Sequence, residues 1–599
     1  MIRKYYATKD NTITNAFNEN LQTRATGSNM GSSDILETFS IYNQVSNSSG
    51  ISSELARILI EFDTDQISSD RTAKLVPSSG SVSWFLKMYN TPHSQTTPTN
   101  FSLIVSAVNG AWEEGYGLDM DFYKDETNDS VGSNWVNRSG DNIAEISKFT
   151  FSSDTASDYS SGNGDNYVKI YNGNSAFNLY FSASKDDTSG SIGNWSETSI
   201  NNSGSKNNFA SDFFHTVNSL SAFTASLATN IVYVTASTAG TVDAHVNEVG
   251  TIAGLTAIVH VSGANATTWS TTGGDYHATP TFTKTFSSGL EDLEIDVSEL
   301  VEQWIKGVAS GGKDNNGFGI KLTDALEQAQ RSYYRKKFYG RDSEFFFQKP
   351  VLEARWNSAR KDDRGYFYAS SSLVPPSDNL NTLYLYNRVR GRLRDYPIAP
   401  TSASIRVSTH IDTQITSAPV SKLSDTTGIY FANIAVETTA STVRDVWYSG
   451  SVGYHTGTIS VKTFAASGYN PEDTYVLSMP SLRKEYRKSQ THRLNLYVRQ
   501  KNWSPNIHTQ AVRSSIPSLI MPSASYQLRR SIDDLTIVPY GTASTTMHTQ
   551  LSYDVSGNYF DLDTTYLEAG YLYDIQYSFY DEENGWEEQP YRFKFRVVD

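Results

Sequence analysis

The sequence predicts a mainly β protein: a jelly-roll β-sandwich with a small α+β insertion, followed by two immunoglobulin-like β-sandwiches. Three observations carry this. Apolar residues alternate with polar ones along many short segments, as at Ala56, Ile58, Ile60 and Phe62. Turn-forming clusters such as Thr26–Ser33 separate these segments. Composition is rich in Ser, Thr, Asn, Gly and Tyr, and only 19% of residues are charged, which favours strands joined by polar turns.

The length of 599 residues allows several domains, each large enough for its own core. Residues 1–136 read as the first part of a jelly roll, with further alternation at Val82, Trp84, Leu86 and Met88 and at Leu103, Val105 and Ala107. Residues 137–265 read as an inserted α+β domain. Its one predicted helix carries Phe209, Phe213, Val217 and Leu220 on one stripe, and strands are expected at 222–227, 231–236 and 257–261. Asn134–Asn137 would join Ala264–Trp269 if the intervening piece were removed, and insertions at loop tips cost little stability.

Residues 266–360 complete the jelly roll. There Asp296 is expected to cap a short helix with Glu299 as its capping-box partner, Gly307 to end it, and Glu344–Trp356 to form a last strand on which Pro350 marks an edge or bulge. Residues 361–466 are expected to form one immunoglobulin-like sandwich, with strands at 382–393, 403–408, 428–436 and 458–464. Residues 467–599 are expected to form a second, with strands at 494–498, 571–580 and 591–597.

Chemistry has little support. With no cysteine there is no disulfide, thiolate site or cysteine nucleophile, and the ten histidines share no metal-binding spacing. No cofactor is therefore expected. Calcium is the one metal with any support, from Asp119, Asp121, Asp125 and Asp129 and from Asp154, Asp158 and Asp165; neither run matches the EF-hand loop, and both read as solvated acidic loops. Trp112 with Glu113 and Glu114, and Trp586 with Glu582, Glu583, Glu587 and Glu588, combine an aromatic platform with carboxylates, but adjacent Glu residues on a strand face opposite ways. No nucleophile elbow or phosphate-binding loop is present. The chain is predicted not to be an enzyme.

The net charge of −15 argues against nucleic-acid binding, and no stretch is apolar enough to span a membrane. Against that acidic background three basic rows stand out. Arg388, Arg390, Arg392 and Arg394 alternate, and are expected along one strand with all four guanidinium groups on one face. Arg331, Arg335, Lys336, Lys337 and Arg341 interleave with Tyr333, Tyr334 and Tyr339, and a third row runs from Arg483 to Lys501. Such rows either dock on acidic neighbours or pair internally with carboxylates. Tyr384 and Tyr386 alternate beside the first row, and Tyr with Arg is the pairing enriched at interfaces. The candidate partner-binding set is Arg388, Arg390, Arg392, Arg394, Tyr384, Tyr386, Arg335, Lys336 and Lys337.

Several segments together resemble a known family. Trp112–Gly115, Asn134-Trp135, the Asp296–Ile305 run, Asn315–Lys321 and the Phe345–Trp356 ending resemble the DNRLRE-type jelly-roll module of bacterial surface proteins and phage virions. The later modules, including Val446–Gly450, resemble immunoglobulin-like domains of phage structural proteins. The resemblance implies a virion protein of a large, marine tailed phage, a component of head, neck, collar or tail, working through multivalent contacts with other phage proteins and repeated copies of itself. Bacterial surface relatives carry a signal peptide, and the Met1–Asp10 start has no apolar run after its basic residues, so assembly into a virus particle in the bacterial cytoplasm is the expectation. Related jelly rolls also serve as carbohydrate-binding modules, so the alternative is a glycan-binding host-recognition adhesin.

Overall fold

In the jelly roll, the strand Ile2–Thr14 is shared by two sheets. Its first residues pair antiparallel with Val351–Arg355, from Ile2 opposite Arg355 to Tyr6 opposite Val351. Its later residues pair with Ser53–Phe62, and the register shifts between Ala7 and Lys9. That bulge turns the strand from one sheet into the other. One sheet runs Leu293–Asp296, Ser83–Met88, Val351–Arg355 and then Ile2–Thr14. The other runs Tyr276–Phe286, Phe101–Val108, Phe318–Leu322, Ser53–Phe62 and Ile2–Thr14, with Ile35–Tyr42 and Tyr333–Tyr339 continuing beside it. The structure is a computed structural model. It describes residues 1–599 apart from 43–52, 93–97, 120–130, 141–143, 160–166, 172–175, 183–193, 200–204, 238–245, 250–251, 262–264, 330–331, 376, 378, 397–405, 411–413, 463–473, 502–517, 544–546 and 582–583.

The core between the two sheets holds the residues that alternation selected: Ile58, Ile60, Phe62, Trp84, Leu86, Met88, Leu103 and Val105, with Trp304. Leu59 points the other way and is buried too, in a second cluster with Trp112, Trp135 and Trp269. The outer face of that sheet is thus covered where the insertion begins. The insertion leaves and re-enters through a small antiparallel pair, Asn137–Ser139 with Thr267–Thr268. Trp269 closes the neck, its indole N–H donating to the Asn134 carbonyl at 2.9 Å.

Inside the insertion, two four-stranded sheets accompany the helix Lys206–Asn218. Phe209, Phe213 and Val217 pack against Phe149, Phe151, Val232 and Val234. Leu220 lies beyond the helix end and is partly buried.

Several expectations need correction. The helix after Asp296 is Ser298–Lys306, and its N-cap is Val297 rather than Asp296. Ser298 is tied to the sheet through its hydroxyl, which accepts the Trp84 N–H at 2.7 Å, while Asp296 takes the Ser298 N–H from outside the helix. Gly307 does end the helix, at φ 69°. The segment 344–356 is a short turn, Phe346–Gln348, followed by the strand Val351–Arg355. That strand is central, between Ile2–Thr14 and Ser83–Met88, and Pro350 precedes it, where its missing N–H breaks no ladder bond. A helix at Thr64–Thr72 was not anticipated; Asp63 caps it, accepting from the Asp65 and Gln66 N–H groups.

The next unit packs Asn381–Tyr386, Ile429–Ile434 and Ser421–Lys422 as one sheet against Gln414–Pro419, Arg406–His410, Thr442–Ser449 and Val452–Ser460 as the other. Leu383, Leu385, Tyr430, Trp447 and Ile459 fill the space between them. The expected strands at 403–408 and 458–464 lie partly outside the described residues.

The last unit packs a four-stranded sheet, with Thr491–Gln500 and Gly557–Asp563 at its centre, against a sheet built on Leu572–Asp581, Ala524–Arg530 and Phe593–Val598. Its core also takes in Ile2 and Phe347 from the jelly roll. These two units, far apart in sequence, therefore share buried side chains.

Candidate functional site

The row Arg388–Arg394 is not one strand. Arg388 and Val389 pair with Leu393 and Arg392 across a two-residue turn. The turn residues Arg390 and Gly391 have φ of 50° and 78°, the doubly left-handed backbone that closes a tight hairpin and that glycine adopts most readily. The expectation of four guanidinium groups on one face is thereby overturned. Cross-strand pairing puts Arg388 on one face with Leu393 and puts Arg392 on the other with Val389, while Arg390 caps the tip. Arg388, Arg390, Arg392 and Arg394 are all exposed, and so is Val389. Among the described residues none of the four guanidinium groups forms an ion pair or stacks on a ring.

The root of this ribbon is clamped. Asn387 donates its side-chain amide to the Arg394 carbonyl at 2.6 Å, and its N–H bonds the Gly428 carbonyl at 2.8 Å. Asp395 accepts the Gly428 N–H at 2.6 Å and pairs with Lys422 at 2.7 Å. A side chain at Gly428 would meet the Arg394 carbonyl oxygen at 2.6 Å, and its φ is +66°, so this position requires glycine. The ribbon is fixed at its base and bare at its end.

The second basic row is spent inside the chain. On Tyr333–Tyr339, which pairs with Ile35–Tyr42, Arg335 meets Glu37 at 2.6 Å and Lys337 meets the same carboxylate at 3.7 Å. Lys336 points inward and is buried. Its ammonium donates to Asn90 Oδ1 and to the Gly289 and Glu291 carbonyls at 2.7, 2.9 and 2.7 Å, and lies 4.8 Å from the Phe286 ring centre. Burial pulls its pKa down to about 8. Lys336 is therefore not available to a partner, which corrects the sequence expectation. Arg331 lies outside the described residues.

Tyr384 and Tyr386 are half-buried and stack at 6.3 Å. They are turned toward the last sandwich, where Tyr386 influences Tyr559 and Arg493. Their use is largely internal rather than at an external face. In the third row, Arg493 is bound to Asp561 at 2.9 and 3.2 Å and lies 4.2 Å from the Tyr559 ring centre.

A cavity of about 410 Å³ opens where the jelly roll and both later sandwiches meet, lined among others by Arg3, Lys74, Trp356, Arg360, Tyr384, Arg493 and Tyr559. A second hollow is lined by Lys9, Trp112, Glu113, Glu114 and Arg138. There Trp112 is a core anchor whose indole N–H donates to the Asn316 carbonyl at 2.8 Å. Glu113 is exposed, while Glu114 accepts from the Asp10 N–H and from Arg341 Nε at 2.8 and 3.1 Å. The two glutamates do not converge on one point.

Of the acidic runs, Asp121, Asp125, Asp129 and Asp165 lie outside the described residues. Asp119 accepts the Asn29 N–H at 3.0 Å, and Asp154 accepts the Lys206 N–H at 2.9 Å. Among the described residues no three His, Asp or Glu side chains gather as a metal site.

Asp10 is a feature the sequence did not flag. It is fully buried beside Glu114, with one carboxylate oxygen accepting the Arg341 N–H at 2.5 Å and the other without a hydrogen-bond partner among the described residues. Burial pushes its pKa up to about 7, against the pull of the Arg341 hydrogen bond and with a further push from Glu114. The folded state thus holds this proton more tightly than the unfolded chain does. The stabilisation is complete below the ordinary carboxyl pKa of 3.8 and is lost as pH rises through about 7. Asp10→Asn is expected to flatten that dependence. Relative to the parent it gains roughly 2–4 kcal/mol between pH 4.5 and 8, read from urea midpoints at the two pH values; parallel curves for parent and variant would contradict it.

No protein-family model matches the chain, and no curated protein matches it. Among solved structures it is similar to the Yersinia pseudotuberculosis adhesin InvE (12% identity over 40% of this chain and 56% of that one, TM-score 0.13). It is also similar to domains 4 and 5 of the S-layer protein SbsC (8% identity, 36% and 76% covered, TM-score 0.11) and to the tandem Ig repeats of Dlar (10%, 37% and 89%, TM-score 0.12). The chain spans about half the length of the adhesin it matches. Scores this low carry no assignment. The chain's own sheets define it as a multidomain β-sandwich protein.

Proposed function

We propose that this chain is a non-enzymatic structural component of a tailed-phage virion, in the head, neck, collar or tail, and that it docks on acidic neighbours through the Arg388–Arg394 ribbon. The observation that carries the docking reading is the ribbon itself: four exposed guanidinium groups without carboxylate partners among the described residues, on a clamped hairpin, in a chain of net charge −15. Arginine's planar fork suits bidentate contacts with carboxylates. Because the cations lie on both faces and at the tip, the ribbon fits a groove better than a flat patch. Placement in a virion rests on the family resemblance of the jelly-roll segments.

The test is the quadruple variant Arg388→Glu, Arg390→Glu, Arg392→Glu, Arg394→Glu. Exposed substitutions of this kind leave stability within about 0.5 kcal/mol each, so the variant is expected to fold. It should lose in-particle cross-links to neighbouring virion proteins, and the parent's association should weaken as salt rises. Incorporation at parental levels would sink the docking role. Binding of the parent ribbon to DNA rather than to protein would also overturn it.

A further inference from the structure

We infer that Lys336 and Asn90 are the site of a spontaneous covalent cross-link within the chain, an amide bond from the lysine nitrogen to the asparagine side-chain carbonyl carbon, formed with loss of ammonia. The inference goes beyond the docking reading and does not depend on it.

The two side chains are already in contact. Lys336 Nζ lies 2.7 Å from Asn90 Oδ1, within reach of the carbonyl carbon that bears this oxygen. The backbone holds the contact in place. Asn90 and Phe338 face one another in an antiparallel bridge, the Tyr339 N–H bonds the Tyr89 carbonyl at 3.0 Å, and the Thr91 N–H bonds the Lys337 carbonyl at 3.2 Å. The Asn90 N–H is fixed in turn by Asp292 Oδ1 at 2.8 Å. An amine and an amide carbonyl held together in this way meet at a high effective concentration.

The surroundings favour the neutral amine. Lys336 is 2% exposed, and its nitrogen lies 4.8 and 5.2 Å from the Phe286 and Phe338 ring centres. Burial pulls its pKa down to about 8, although Glu291 and Asp292 act the other way, so about a tenth of the lysine is neutral at pH 7. Desolvation of this kind turns a lysine into a nucleophile. Glu291 is the stronger of the two carboxylates acting on it. Burial pushes the Glu291 carboxyl up, but hydrogen bonds from Ser288 and Ser287 hold it down at about 2, so it is ionised. Its charge opposes the positive charge that develops on Nζ during attack.

The step balances without an oxidant, a reductant or a cofactor. The ammonium gives one proton to solvent. The Nζ lone pair attacks Asn90 Cγ, the Nζ–Cγ bond forms, and the Cγ–Nδ2 bond breaks. One proton passes from Nζ to Nδ2, which departs as ammonia. Among the described residues nothing is hydrogen-bonded to Nδ2, so no contact holds the leaving group back. The product joins residues 246 apart and ties Tyr333–Tyr339, beside one sheet of the jelly roll, to the end of Ser83–Met88 in the other. In a chain without cysteine it takes the part of a disulfide.

The experiment is mass spectrometry of the purified full chain after incubation at about pH 9, where Lys336 is mostly neutral. The intact mass is expected to fall about 17 Da, one ammonia, below the sequence mass. Proteolysis should then yield a branched peptide in which Lys336 is joined to Asn90. Asn90→Ala and Lys336→Arg should each keep the full mass, and Glu291→Gln should form the bond at least about tenfold more slowly. The parent's mass and branched peptide need no variant, so a variant that fails to fold leaves the test intact. The quadruple ribbon variant should cross-link as the parent does, which separates a failure here from a failure of the docking reading. The inference is overturned if the parent keeps its full sequence mass. It is also overturned if the loss persists in Asn90→Ala and maps to a succinimide at an Asn-Gly pair such as Asn109-Gly110 or Asn316-Gly317.

Discussion

Glu353→Ala is expected to lower stability by about 3–5 kcal/mol, the usual result of removing one member of a buried ion cluster and stranding the others. Glu353 is 1% exposed and sits on the central strand Val351–Arg355. Lys4 reaches it at 3.0 Å from the neighbouring strand, and Arg355 binds it through two nitrogens while also meeting Glu294 at 2.7 Å. Burial pushes the Glu353 carboxyl up, but Lys4, Arg355 and Lys87 together hold it far below the usual carboxylate range.

The cluster lies at a seam. Lys4 donates to the Ile537 carbonyl of the last sandwich at 3.0 Å, and Ile2 and Phe347 enter that sandwich's core nearby. Loss of Glu353 leaves the buried Lys4 without its carboxylate at this seam and Arg355 with Glu294 alone. The effect should appear in calorimetry as a lower-temperature transition for the jelly roll and last sandwich together. A loss below about 1 kcal/mol would contradict the account. Replacing the whole cluster (Lys4→Met, Glu353→Leu, Arg355→Met) should recover most of the loss, because no charge is then left unpaired.

That seam shows where sequence reading stops. Alternation at Ile58–Phe62 and Val82–Met88 selected the jelly-roll core correctly, because a strand's two faces are written in its own residues, while Ala56 of the same run packs in a separate cluster with Ala16 and Phe39. The stripe Phe209, Phe213 and Val217 did the same for the helix of the insertion. Local signals were also present and passed over. Asp63 before Thr64 is a helix cap, and Gly391 inside an arginine alternation marks a turn rather than a continuous strand. By contrast, nothing near Ile2 or Phe347 announces that they pack into a sandwich built from residues beyond 474. Nor does Lys336 announce that it turns inward while Arg335 and Lys337 share Glu37. The partner of a charge is set by tertiary neighbours, so the basic rows could be noticed in the sequence but not sorted into spent and unspent ones.

Arg364→Ala should have an effect of similar size in a different place. Arg364 lies in the short turn Asp363–Gly365 between the jelly roll and the first immunoglobulin-like unit. Its guanidinium grips Asp445 with two bonds of 2.7 Å, and Asp445, wholly buried, also accepts the Trp447 indole N–H at 2.8 Å. Gly457 makes room for this: a side chain there would meet Asp445 Oδ1 at 2.5 Å and Arg364 Nη1 at 2.7 Å. The same turn is held to the last sandwich by Tyr553, whose hydroxyl donates to Asp363 at 2.6 Å and whose carbonyl accepts the Asp362 N–H at 3.1 Å. Removing Arg364 strands a buried carboxylate against Trp447, at a cost of about 3–5 kcal/mol. The loss should fall on the unit that carries the arginine ribbon, which would then open separately from the rest of the chain. Hydrogen exchange is the direct measure. Protection should fall across 381–460 and persist across 552–563, whereas equal loss in both segments would mean that Arg364 supports the whole chain rather than this joint. Arg364→Lys keeps the charge but not the fork, and should fall between the parent and alanine.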